Sequence, residues 1–193
     1  MFRNLTIFAI LLTLFVVVLG AYVRLSDAGL GCPDWPGCYG NIILDESHEG
    51  VKNAAENYPE RPLEASKAWK EMIHRYFAST LGFVILMLTF MAWKRHELGQ
   101  RSLTIALSLL VMFQGALGMW TVTLLVKPVI VMSHLMGGLA TLSLLLLLLL
   151  RIRKKRLPES GKRGSVLTIA KIGLIVLVIQ IALGGWTSTN YAA

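Results

Sequence analysis

Apolar residues fall into five blocks, at about 5–25, 74–93, 103–126, 128–150 and 165–187, with polar stretches between them. Each is about 20 residues long, the length a helix needs to cross a hydrocarbon core of about 30 Å. The pattern predicts five transmembrane helices. The first is read as a retained helix and not a cleaved leader: a single basic residue, Arg3, precedes a long apolar run, and no Ala-x-Ala site follows. The segment of about 26–70 lacks such a block. From about Asp45 to Ala68 it carries mixed charge, Pro59 and Pro62 but no apolar period. It reads as a partly helical or irregular cap over one mouth of the bundle.

Composition narrows the class. With 55% apolar and 16% charged residues, the chain is neither a soluble globular protein, nor disordered, nor a secreted disulfide knot. A net charge of +8 would suggest nucleic acid in a soluble protein. Here it records topology, and no nucleic-acid partner is expected. Of 19 Lys and Arg, 12 lie at Arg3, within Lys94–Arg101 and within Arg151–Lys171. The positive-inside rule puts these on the cytoplasmic side. The 26–70 segment, with eight acids and four bases, and the near-hairpin around Lys127 then lie outside. The expected protein starts inside, crosses a bacterial-type inner membrane five times and ends outside. Trp69, Trp93, Trp120 and Trp186 fall near block ends and Trp35 in the outer loop, as amphipathic indoles should.

The third and fifth blocks share a segment. QGALGMWTVT (114–123) and QIALGGWTST (180–189) are identical at seven of ten positions. LGAYVRLSDAG (19–29), closing the first block, is a looser relative of LGGWTSTNYAA (183–193). Small residues near a helix end allow close packing, but a shared Gln and Trp favour duplication. The expected architecture is an all-α integral membrane protein with two parts. Residues 1–160 form a four-helix bundle. Residues 161–193 form a fifth transmembrane helix that opens a second, incomplete bundle, so the chain reads as a fragment.

Candidate chemistry is concentrated at one end of the bundle. Cys32 and Cys38, in GLGCPDWPGCYG, lie on the oxidising side, where a structural or redox disulfide is favoured over free thiols or a metal site. His48 and His96 read as solvated. His74 and His134 differ, because each lies one to two turns inside a helix running from outside to inside, at similar depth. Ionisable groups at that depth usually face a cavity or the bundle interior. Two facing imidazoles suit a haem, with Gly137, Gly138, Ala78, Ser79 and Gly82 leaving room, and Arg24, Arg75 and Lys127 available to its propionates. A pair of packing histidines and a proton or substrate relay remain the other readings. Glu71 precedes His74 by three residues, on the same helix face, and reads as a proton acceptor or as an ordinary interfacial acid.

These motifs resemble the haem A synthase family, membrane enzymes that convert haem O to haem A for cytochrome oxidases. The resemblance is carried by GAYVRLSDAGLGCPDWPGCYG, by Glu71-x-x-His74, by His134 and by ALGGWTSTNYAA, and it runs along the whole chain. It implies eight helices in two related four-helix bundles, each with a histidine pair on its second and fourth helices. It implies that His74 and His134 belong to the substrate-side pair as iron ligands and that Glu71 is the catalytic carboxylate. Cys32 and Cys38 would be the outer-loop disulfide, with a redox or transfer role. The implied reaction oxidises a porphyrin methyl to a formyl, with haem O as substrate and a resident haem b in the missing half. Haem O synthase, cytochrome oxidase subunits and a second copy of the chain are the implied partners. The alternatives are a bis-histidine cytochrome b electron-transfer module and a non-catalytic haem-handling oxidase assembly factor.

Overall fold

The structure, a computed structural model, describes residues 1–95, 99–153 and 163–191. His96, the middle of the basic run, the expected boundary at 160/161 and the final two alanines lie outside the described residues. Six helices follow in order: α1 (Phe2–Leu25), α2 (His48–Asn57), α3 (Ala65–Lys94), α4 (Arg101–Thr123), α5 (Pro128–Arg153) and α6 (Arg163–Tyr191). All but α2 are long and apolar enough to cross a membrane. The chain is an all-α integral membrane protein.

The five long helices coincide with the five apolar blocks. The main difference is α3, which begins at Ala65, well before its apolar block. Its first turns, ASKAWKEM, are polar and interfacial. His74 is therefore in the third turn of α3, counted from this earlier start, while His134 is in the second turn of α5. Pro128 opens α5 at a position where its missing N–H is not needed. The cap region is partly helical, as expected. Ser47 caps α2 by accepting from the Gly50 N–H at 3.0 Å, and Asp45 accepts from the Ser47 N–H at 2.9 Å.

Helices α1, α3, α4 and α5 close a ring in which α1 packs on α3 and α5, and α4 on the same two. Lipid supplies no hydrophobic drive between helices, so close van der Waals packing and shared hydrogen bonds hold them. One end of the ring is filled by apolar side chains. They are Phe2, Ala9, Leu12 and Val16 of α1, Leu81, Val84, Ile85, Leu88 and Ala92 of α3, Leu103 and Leu107 of α4, and Leu145 and Leu148 of α5. A polar clasp joins α3 to α4 there: the Thr89 hydroxyl donates to the Thr104 carbonyl at 2.9 Å and lies 2.7 Å from the Ser108 hydroxyl. A second apolar cluster, of Cys32, Cys38, Leu44, Ala68 and Met72, seats the cysteine loop on α3 at the opposite end.

Helix α6 stands outside the ring and packs on α5. Gly185 is the point of close approach, where a Cβ would run into Met132 and Leu135. At its far end the Arg24 guanidinium of α1 donates to the Ser188 carbonyl at 2.8 Å.

Candidate functional site

Between the two apolar clusters the bundle is built differently. The positions that face inward there are small or half-buried: Val17 and Gly20 of α1, His74 of α3, Gly118 of α4, and His134, Gly137 and Gly138 of α5. The two histidines come from helices on opposite sides of the ring, yet lie within electrostatic reach of each other. The His74 ring lies against Gly20, where a Cβ would sit 2.9 Å from its Cε1. Gly118 leaves similar room for His134, at 3.7 Å.

Several buried polar atoms lack a partner. Among the described residues, Nδ1 of His74, Nδ1 of His134, Nε2 of Gln114 and Nε of Arg24 are buried without a hydrogen-bond partner. A buried polar group left unmatched costs about 1–3 kcal/mol. His74, His134 and Gln114 face the interior of the ring, whereas the Arg24 guanidinium is turned to the Ser188 carbonyl of α6; Oε1 of Gln100, at the other end of α4, is unpartnered as well. No group of three or more His, Cys, Asp or Glu among the described residues is placed to hold a metal ion. The donor set is two imidazoles.

Glu71 sits just above, on the same helix as His74, but its carboxylate turns toward the cysteine loop. It is only 5% exposed. Oε2 accepts from the Cys32 N–H at 3.0 Å, with the Gly31 N–H also contributing. Oε1 pairs with the Arg75 guanidinium at 2.5 Å. Arg75 in turn donates to the carbonyls of Asp34 at 3.1 Å, Pro36 at 3.3 Å and Gly37. The Glu71–Arg75 pair, one turn apart on α3, thus grips both the N–H and the C=O groups of the loop. Asp34 shapes the loop by accepting from the Tyr39 N–H at 2.7 Å and the Gly40 N–H at 2.8 Å. Gly31 lets the loop approach α3, since a Cβ there would lie 2.6 Å from the Lys67 carbonyl carbon. Cys32 and Cys38 are buried, with their sulfurs bonded to each other. Nearby, burial raises the Tyr39 phenol above its ordinary value, and Asp45 is lowered by the Ser47 N–H.

The structure therefore brings together His74, His134 and Gly137–Gly138, with Glu71 and the cysteine pair stacked beside them. Ala78 packs against the apolar cluster, and Ser79 is exposed. Arg24 is half-buried with its guanidinium on the Ser188 carbonyl of α6, Arg75 is turned into the loop, and Lys127 is exposed on the α4–α5 turn. Sequence reasoning missed two features. One is the gripping role of Arg75, for which the i, i+4 spacing to Glu71 was the available signal. The other is Gln114, whose recurrence at Gln180 was noticed without a role.

Comparison with known proteins agrees with the resemblance. A heme A synthase of Shewanella oneidensis is 50% identical over 182 residues, covering 94% of this chain and 55% of the relative. Those of Mesorhizobium japonicum and Bacillus licheniformis are 30% and 26% identical, covering 93% and 95% of this chain. The chain spans about half the length of these curated relatives. No solved structure matches it. The family described as cytochrome oxidase assembly protein matches residues 3–193, and the chain belongs to that family.

Proposed function

We propose that this chain is the substrate-binding half of a haem A synthase, which oxidises a methyl group of haem O to a formyl group during cytochrome oxidase assembly. The observation that carries the reading is the placement of His74 and His134 on opposed helices, within reach of each other between two apolar clusters, each with an unpartnered Nδ1. Two imidazoles are too few for a zinc cage but would be enough to hold a porphyrin iron. The names of the relatives support the same substrate class. Bound iron supplies the redox chemistry; the protein supplies placement.

In this reading His74 and His134 would hold the haem iron, while Gly20 and Gly118 give the two imidazoles room to reach it. Arg24 and Lys127 receive the propionates at the outer rim, and Arg75 contributes through the loop it holds. Glu71 is the catalytic carboxylate of the resemblance. Its position fixes the cysteine loop over the slot, so that the reacting edge and the loop share one carboxylate. Cys32 and Cys38 stay paired as a disulfide in an oxidising compartment. The N-terminus is cytoplasmic, and the loop faces outward. Residues 1–160 form the bundle, and α6 belongs to a second, related unit that carries haem b. Haem O synthase and oxidase subunits are the natural partners, since haem O is too apolar to travel through water.

The test is haem retention. His74→Ala and His134→Ala should each remove most of the haem spectrum from the purified protein while the membrane-inserted fold survives. Haem retained at wild-type stoichiometry in both variants contradicts the ligand assignment.

A further inference from the structure

Gln114 is the one large polar side chain inside the slot that the proposed function leaves without a task. It is 9% exposed, and its amide nitrogen meets no acceptor among the described residues. It shares a face of α4 with Gly118, one turn away, and Gly118 borders His134. On α5 the matching step runs from His134 to Gly137, and Gly137 is where Gln114 lies: a Cβ on Gly137 would collide with the amide. Gln114 is thus about one helical turn, ~5.4 Å, deeper than His134. That is the scale separating a porphyrin iron from the rim of its ring. Beyond it lies the apolar floor built from α1, α3, α4 and α5.

The chemistry of the ends then sets an orientation. Cationic Arg24 and Lys127 are at the outer rim, so the carboxylates of the macrocycle face outward. The opposite edge faces the floor. In haem O that edge carries a hydroxyl on its long alkyl substituent, where haem b carries a vinyl group. A buried amide at that depth has no use for a vinyl group, and leaving the amide unmatched costs free energy. We infer that Gln114 is the specificity-determining residue that recognises the side-chain hydroxyl of haem O and so separates the substrate from haem b. Gln114 makes no contact with the iron or with the methyl group to be oxidised; it selects and positions.

The inference rests on His74 and His134 holding haem O, and its test separates the two. Detergent-solubilised full chain is titrated with haem O and with haem O dehydrated at its side-chain hydroxyl, which keeps the carbon skeleton and removes the oxygen. Haem O should bind about three- to tenfold more tightly, the range expected of one neutral hydrogen bond. In Gln114→Met, of similar size but with no amide, that ratio should fall to about one while haem O still binds with two imidazole ligands by its absorption spectrum. Equal affinity for the two porphyrins in the wild type overturns the inference even if Gln114→Met fails to fold. So does a ratio that Gln114→Met leaves unchanged. If neither porphyrin binds the wild type, or if binding survives in the His74→Ala/His134→Ala double variant, the histidine reading fails and this inference falls with it.

Discussion

At the scale of single residues, Glu71 joins the parts of the site. A carboxylate in the first turns of a membrane helix is ordinarily solvated or paired at the interface. Here it is buried and holds the backbone N–H of Cys32 on one oxygen and Arg75 on the other. Glu71→Gln keeps the shape but loses the charge-assisted bonds, each about 1.5–3 kcal/mol. It should leave porphyrin content near wild type, lower haem A formation at least tenfold, and make the cysteine loop more open to proteolysis. Porphyrin analysis and limited proteolysis of the same preparation check this. Wild-type haem A output from Glu71→Gln would remove Glu71 from catalysis. The same residues show why sequence reading is uneven at this scale. Glu71, His74 and His134 stand out because ionisable groups in apolar blocks are costly to bury. Arg75 reads equally well as a propionate partner or as the partner of Glu71. Only the approach of the Asp34, Pro36 and Gly37 carbonyls decides between the two, and that contact joins positions far apart in the sequence.

At the scale of elements, the long helices were legible because bilayer thickness imposes a length on every apolar run. Helix starts were less so. The polar first turns of α3 carry no hydropathy signal, and α2 is a short, charged helix outside the membrane. The register that sets Gly137 against Gln114 depends on how α4 and α5 pack, which periodicity alone does not specify. Helix α2 gives a prediction of its own. Its cap is Ser47, and Asp45 steadies the cap by accepting from the Ser47 N–H, which holds the Asp45 carboxyl below its ordinary pKa. A carboxyl with a lowered folded value stabilises above its unfolded value and loses that contribution as the pH falls through the folded one. Amide exchange in residues 51–57 should therefore be slow near pH 6 and quicken relative to α3 as the pH falls below the ordinary carboxylate range. Asp45→Asn should weaken that dependence. Protection that is unchanged in acid would show that Asp45 does not support the cap.

At the scale of the whole molecule, the ring of α1, α3, α4 and α5 divides labour between its ends. Leucine-rich packing closes one end, and the disulfide-bonded loop closes the other. Small residues and unmatched polar atoms mark the level between them. Helix α6 repeats the sequence of α4 near its end but packs outside the ring, with most of its surface exposed. The chain spans about half the length of the curated relatives it matches, and the proposed function gives this half the substrate side. The central claim is that the slot between His74 and His134 takes haem O. The most direct measurement is mass analysis of the porphyrin extracted from the purified chain after expression in cells that make both haem b and haem O. Haem O, alone or with its hydroxylated or formyl products, and lost in His74→Ala and His134→Ala, is the predicted result. Haem b alone would contradict it and point instead to a bis-histidine electron-transfer module.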